Sequence, residues 1–496
     1  MARMQYRNEE DSIGSKKVNA NAYYGVQSLR AAENFPITGE TLNKQFIISL
    51  AEIKKACAEV NNSVGLLDTK KANAIKKACD EIIKGKLHDQ FIVDPIQGSA
   101  GTSMNMNANE VIANRAIELL GGEKGDYTII HPNDHVNYGQ STNDVIPSAG
   151  KMTILKLWKS CEKTLLRLVE AFNEKAEEYD GTIKMGRTQM QDAVPIRLGQ
   201  EFSAYAVAVK RGIDRINSVM SEMKELNMGG TAVGTGLNAD ATYYKEIVPA
   251  IARISGYDLV QATDLIDGTQ NLDSFAAVSA AFKALAVALS KICNDLRLMS
   301  SGPRCGFEEI NLPAKQNGSS IMPGKVNPVI PEVLNQVCFN IIGNDVTVAM
   351  AAEGGQLELN AFEPIIYYCL FQSIETLDHA VHTFTVNCVE GITANEKRCK
   401  DLVDNSVGIV TAICPHVGYK KAASVAKKAI RKNASVRDMI IKDELLTKNE
   451  LDMILEPMGM TTPGIAAEEL LIRKGKKPAK KVTAQKTHEG KIMNNR

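Results

Sequence analysis

From Met152 to Tyr179 the residues Ile154, Leu155, Trp158, Cys161, Leu165, Leu168, Val169 and Phe172 recur at three- and four-residue steps, with Lys, Arg and Glu between them. That spacing lays an apolar stripe along one long helix. The stretches Arg197 to Asn227, Asp273 to Ser300 and Pro331 to Glu353 repeat it, each with small residues where helices can approach closely (Ala204, Ala206, Ala208; Ala276, Ala277, Ala280, Ala281; Ala349, Ala351, Ala352). Period-two alternation is scarce, and a short strand is expected near Tyr127-Thr128-Ile129-Ile130. The chain therefore reads as mainly α, with a long central helical bundle. Helices apolar on more than one side predict packing against other subunits as well.

At 496 residues the chain has room for about three domains. The reading is an N-terminal α-rich domain over 1–143, a central helical bundle domain over 144–395 and a small C-terminal helical domain over 396–472. Residues 473–496 carry Lys474, Lys476, Lys477, Lys480, Lys481, Lys486 and Lys491 with few apolar side chains, so a disordered, solvated basic tail is expected. A formal charge of zero gives no overall electrostatic reason to bind nucleic acid. No apolar run is read as reaching the ~18 residues of a membrane span, and Met1 to Glu10 lack the apolar core of a signal peptide; a cytoplasmic protein acting on a small molecule is expected. Ten cysteines are scattered from Cys57 to Cys414 without a C-x-x-C pair, which suggests free thiols. His379 and His382 could share a helix face but have no evident third ligand, so no metal site is expected.

The run Gly318-Ser319-Ser320-Ile321-Met322-Pro323-Gly324-Lys325-Val326-Asn327-Pro328 interrupts the helical pattern. Glycine permits backbone conformations other residues avoid, and proline biases its predecessor away from helix, so this is a shaped loop that places two hydroxyls close in sequence to a cation and an amide. Three earlier segments are also dense in short polar side chains: Gly98 to Glu110 (GSAGTSMNMNANE), Asn133 to Asp144 (NDHVNYGQSTND) and Gly186 to Ala193 (GRTQMQDA). In this order the four segments resemble the active-site regions of the aspartase/fumarase class II superfamily. The similarity runs from about Glu9, through Tyr23-Tyr24-Gly25 and Arg30-Ala31-Ala32-Glu33-Asn34-Phe35, to about Leu455. Val18-Asn19, where relatives usually have Val-Pro, and the basic tail depart from the pattern.

The resemblance implies a three-domain fold whose central helices assemble from four chains into one bundle, a homotetramer with each active site built from three subunits. It also implies elimination of a group beta to a carboxylate with release of fumarate. Such a reaction passes through a dianionic enediolate (aci-carboxylate), which preorganised neutral donors can hold without the mutual repulsion of clustered cations. By residue match, Thr102, Ser141, Thr142 and Ser320 would grip the β-carboxylate, Thr188, Lys325 and Asn327 the α-carboxylate, and Asn143 would face the leaving amino group. Ser319 would be the general base. Its alkoxide needs stabilising, for which the nearby Lys325, backbone N–H groups and exclusion of water on loop closure are available. Taken singly, each of these Ser, Thr and Asn residues is as readily a cap or turn residue. No redox cofactor, phosphate carrier or Schiff base is required; activation by a divalent cation such as Mg2+ stays open.

The leaving group is argued from three details. Fumarases usually carry His where Gln189 stands and Ser-Ser-Asn-Asp where Ser141-Thr142-Asn143-Asp144 stands, and Val329 to Val337 looks like aspartases. An amide cannot take up and release protons near neutrality, so Gln189 cannot replace a histidine that activates water. Ammonia leaving L-aspartate is therefore expected, with fumarate hydration as the alternative. A non-catalytic structural protein on this fold is a further alternative, but every matched position is intact. Gly229 to Gly236 could suggest a phosphate loop, yet no apolar strand precedes it and no Gly-Lys-Ser/Thr ends it, so it reads as a tight connection beside the active site.

Overall fold

The computed structural model describes residues 5–318 and 320–473, so the basic tail from Lys474 onward lies outside the described residues. The fold is mainly helical, and strands occur only as four two-stranded pairs among the described residues. The chain divides into two compact units. One comprises Met1–Ala171, Tyr205–Arg297 and Pro313–Gly391; the other comprises Phe172–Ala204, Leu298–Leu312 and the chain from Ile392 onward.

The first unit opens with an antiparallel hairpin, Tyr6–Asp11 against Gly14–Asn19. The helix Lys44–Ser63 follows, capped by Asn43, whose side chain accepts from the Gln45 N–H. It buries Phe46, Ile47, Leu50, Ile53, Cys57 and Val60 and packs against the helices Thr69–Ile83 and Ala241–Ser255. The periodic stretches fold as the long helices Thr142–Glu178, Leu198–Val219, Asp273–Met299 and Val329–Glu353. The second of these stops short of Asn227, because Glu225–Leu226 leave the helical path to pair in parallel with Val260–Gln261. Val329–Glu353 packs extensively against Glu363–Asn387, a largely buried helix with stacked Tyr367 and Phe371 rings.

Two expectations need correction. The helix Asp273–Met299 is long and apolar enough to cross a membrane by length and composition, contrary to the absence read from sequence. Phe275, Val278, Phe282, Leu285, Leu289 and Ile292 are buried within the protein, so the apolarity is that of a core helix. The strand expected near Tyr127 is a turn. Asp126 accepts both the backbone N–H and the hydroxyl of Thr128, and this local bonding displaces the extended backbone.

In the second unit the hairpin Ile183–Thr188/Gln191–Arg197 packs Met185 against Val403, Ile409, Ile413, Val425, Ile440 and Leu451. Behind the hairpin lies the fully buried Glu309. Its carboxylate receives Arg187 Nη1 at 2.7 Å and Lys184 Nζ at 3.2 Å. Burial alone would lower the Lys184 pKa, but Glu201 and Glu309 outweigh it and hold it above the usual lysine value. Arg187 also lies over the Phe307 ring, 4.1 Å from its centroid.

Candidate active site

Two helix N-termini meet in the first unit. Thr102 begins the helix Thr102–Leu119, entered through Gly101 at φ 81°, where a Cβ would come within 3.0 Å of Ile146 on the helix Thr142–Glu178. One turn on, Asn105 Nδ2 donates to Thr142 Oγ1 at 3.3 Å. Ser141 Oγ accepts from the Asn143 N–H at 3.2 Å. Both hydroxyl oxygens thus accept from the protein, which leaves their protons for an incoming anion. The Thr102 hydroxyl instead lies 2.8 Å from the Ser99 carbonyl.

Pro147 explains how the next residues are held. It lacks an N–H, so the Asn143 carbonyl four residues earlier has no helical donor. Asn227 Nδ2 takes that place at 3.0 Å, and Asn143 Nδ2 in return donates to the Ala232 carbonyl at 2.7 Å. Asp144 completes the stitching. It accepts from the N–H groups of Ser141 at 2.9 Å, Gly229 at 3.2 Å and Thr231 at 3.1 Å. Burial raises its pKa to about 6, against the pull of those hydrogen bonds and of Lys54. The glycine-rich connection is therefore bound to the segment that carries Ser141, Thr142 and Asn143.

Below that segment lies a group to which sequence reasoning assigned no role. Lys54, fully buried, donates to Asn137 Oδ1 and Gln140 Oε1, both at 2.8 Å. Asn105 and Asn109 donate to the same Asn137 oxygen at 3.1 and 3.2 Å. The available signals were a lysine on the apolar face of an amphipathic helix and a run of asparagines inside another.

Thr188 and Gln189 are displayed in the second unit, exposed at the tip of its hairpin. Gln189 and Met190 have φ of 53° and 63°, the left-handed pair a two-residue hairpin turn demands and a strained choice for side chains of this size. Ser320, Lys325 and Asn327 sit on the loop between Pro313 and Pro328, where Ser320 and Lys325 are exposed and Asn327 half-buried. Ser319 lies outside the described residues. Among the described residues, the structure brings Ser141, Thr142 and Asn143 together and ties them through Asn105 to the helix that Thr102 begins. It shows no hydrogen bond from Ser320, Lys325 or Asn327 to that cluster. No three His, Cys, Asp or Glu side chains among the described residues converge as a metal site.

A lyase family model matches residues 14–343, and a model of the fumarase C C-terminus matches residues 409–462. An aspartate ammonia-lyase of Bacillus subtilis is 55% identical over 94% of this chain and 98% of its own length. A fumarate lyase:delta crystallin structure from Brucella melitensis, bound to cobalt, superposes with a TM-score of 0.90 at 48% identity, covering 92% of this chain and 100% of that one. A class II fumarase from Schistosoma mansoni gives 0.88 at 36% identity, covering 92% of this chain and 100% of that one.

Proposed function

This chain belongs to the lyase family that includes aspartate ammonia-lyases and class II fumarases, and from that premise we propose how its residues divide the work of an elimination. The activity is that of an aspartate ammonia-lyase, reversible loss of ammonia from L-aspartate to give fumarate. The substrate β-carboxylate lies against Thr102, Ser141, Thr142 and Ser320. Thr188, Lys325 and Asn327 hold the α-carboxylate, with the Gln189 amide beside them bonding neighbouring polar groups. Ser319 takes the Cβ proton, and the two carboxylate clamps fix the Cβ–H and C–N bonds for anti elimination through the enediolate. The surplus electron density of that intermediate falls on the β-carboxylate, where neutral donors strengthen their hydrogen bonds as charge develops.

The observation that supports ammonia over water most directly is Gln189, an amide where fumarases usually carry a histidine able to activate water. Asn143 gives one amide hydrogen to the Ala232 carbonyl, and its side-chain oxygen is an acceptor for the substrate ammonium group. Three subunits of a cytoplasmic homotetramer contribute to each site, with the 144–395 segment as the bundle-forming domain between N- and C-terminal helical domains. The chemistry calls for no redox cofactor, and a divalent cation such as Mg2+ would act as an activator. The test is the absorbance of fumarate formed from L-aspartate, run beside L-malate. Fumarate from aspartate alone is expected, and formation from malate alone would replace this reading with a hydratase. Ser319→Ala should bind L-aspartate with kcat abolished; turnover near the normal kcat would remove Ser319 as base.

A further inference from the structure

An ammonium carries three donors and no acceptor, and at Lys54 that asymmetry propagates outward. Lys54 must face oxygens, so Asn137 turns Oδ1 toward it at 2.8 Å while Asn137 Nδ2 donates to the Gln140 carbonyl at 3.2 Å. With its oxygen turned inward, Asn137 can only receive donors there. Asn105 and Asn109 both present Nδ2, at 3.1 and 3.2 Å. The remaining hydrogen of Asn105 Nδ2 reaches Thr142 Oγ1 at 3.3 Å.

The arrangement has a visible cost. Asn105 Oδ1 and Asn109 Oδ1 are buried without a hydrogen-bond partner. Folded interiors rarely leave acceptors in that state, and the charge at Lys54 fixes it by holding the Asn137 oxygen toward the ammonium. What the cost maintains is a direction. Thr142 Oγ1 accepts from inside, so its proton points away from Asn105.

We propose that Lys54, Asn137 and Asn105 are positioning residues that act through Thr142, fixing its hydroxyl as a donor to the substrate carboxylate; the proposal rests on Thr142 being a carboxylate ligand. The surroundings of Lys54 add a pH dependence. It faces Cys57 on its own helix, Cys79 on the helix Thr69–Ile83 and Asp144 at the start of the helix Thr142–Glu178. Tyr243, from the helix Ala241–Ser255, places its hydroxyl 3.3 Å from Cys57 Sγ. Burial lowers the Lys54 pKa to about 8 against the opposing pull of Cys57, Asp144 and Cys79. A deprotonated Lys54 gains an acceptor lone pair, and the reason for the Asn137 orientation disappears.

The test uses succinate as a competitive inhibitor, a dicarboxylate with no amino group to titrate in the same range. Its Ki for the wild-type enzyme should rise above about pH 8, and Lys54→Met should bind it weakly at neutral pH with that inflection gone. Asn105→Ala and Thr142→Val should each weaken succinate about tenfold, the scale of one lost hydrogen bond near a charge. The double variant should be no worse than Thr142→Val alone, because Asn105 acts only through that hydroxyl. Asn105→Asp preserves shape but replaces the donor with an acceptor, and should weaken binding more than Asn105→Ala. Should Asn105→Ala not fold, the Asp variant and the pH profile of Lys54→Met decide the matter. Unchanged succinate affinity in Thr142→Val would overturn the carboxylate-ligand reading itself. Weakened binding in Thr142→Val with additive losses in the double variant, or an inflection that survives Lys54→Met, would overturn the relay while leaving that reading in place.

Discussion

At the scale of single residues, Lys54 occupies a position the helix Lys44–Ser63 would normally fill with an aliphatic side chain, between Ile53 and Cys57 on its buried face. Its pKa falls from an ordinary 10.5 to about 8, so the folded state disfavours the proton that the unfolded chain keeps. The sign follows: between those values the unfolded chain binds more protons, and stability rises with pH; below the lower value the full penalty remains. A gap of that size corresponds to about 3 kcal/mol, offset in part by the hydrogen bonds to Asn137 and Gln140. Lys54→Met should therefore melt at or above the wild-type temperature near neutral pH while losing activity, with the difference shrinking as pH rises from about 8 to 10.5. A melting point well below wild type at neutral pH would mean that the hydrogen bonds outweigh the burial. The sequence exposed the anomaly of a lysine among apolar positions but not its use. That depends on Asn137 and Asn105, 83 residues and 51 residues further along the chain, converging on it.

Among the elements, the long helices were legible because period and length suffice to specify them, as in Asp273–Met299. The hairpins Tyr6–Asp11/Gly14–Asn19 and Ile183–Thr188/Gln191–Arg197 were not, since YRNEED and GSKKVN carry no apolar alternation. The second hairpin is held instead by the Arg187–Glu309 contact, between residues 122 positions apart. The signature loop lies between these cases: its glycines announced a shaped turn, but the reason for one of them appears only in three dimensions. A Cβ on Gly318 would stand 1.4 Å from the Lys325 carbonyl oxygen, so glycine alone lets the two limbs of the loop pass. Gly318→Ala must open that neck and displace Ser320, Lys325 and Asn327 together. Activity should fall by roughly a hundredfold or more, the scale of a 1 Å misplacement of reacting groups. The melting temperature should stay within a few degrees, because the loop is largely exposed. Near-normal kcat/KM in this variant would show that the closed neck is not the working geometry.

For the molecule as a whole, the described part of one chain gathers only part of the proposed constellation, and the helix Val329–Glu353 suggests where the remainder comes from. Its inward face carries polar groups with partners: Asn335 Nδ2 donates to Ser290 Oγ at 2.9 Å, and Asp345 pairs with Lys283. Its outward face carries Phe339, Val346 and Met350, which are 60, 58 and 69% exposed. A helix with its apolar side chains turned to water is the reverse of a surface helix, and a stripe of this kind calls for cover by another chain. The amphipathic period showed that this segment is a helix with apolar residues on more than one side, but not which side another subunit covers, because both are apolar to the eye. The proposed shared active sites would tie assembly to activity. Phe339→Glu would place a charge in each symmetric copy of the contact, and sedimentation should show species smaller than a tetramer with unchanged helical circular dichroism. Activity should drop about tenfold or more, the cost of losing one buried aromatic anchor, and should drop in step with the tetramer fraction on dilution. A fully active monomer, in the variant or in diluted wild type, would mean that one chain completes the site by itself, and the shared-site arrangement would have to be abandoned.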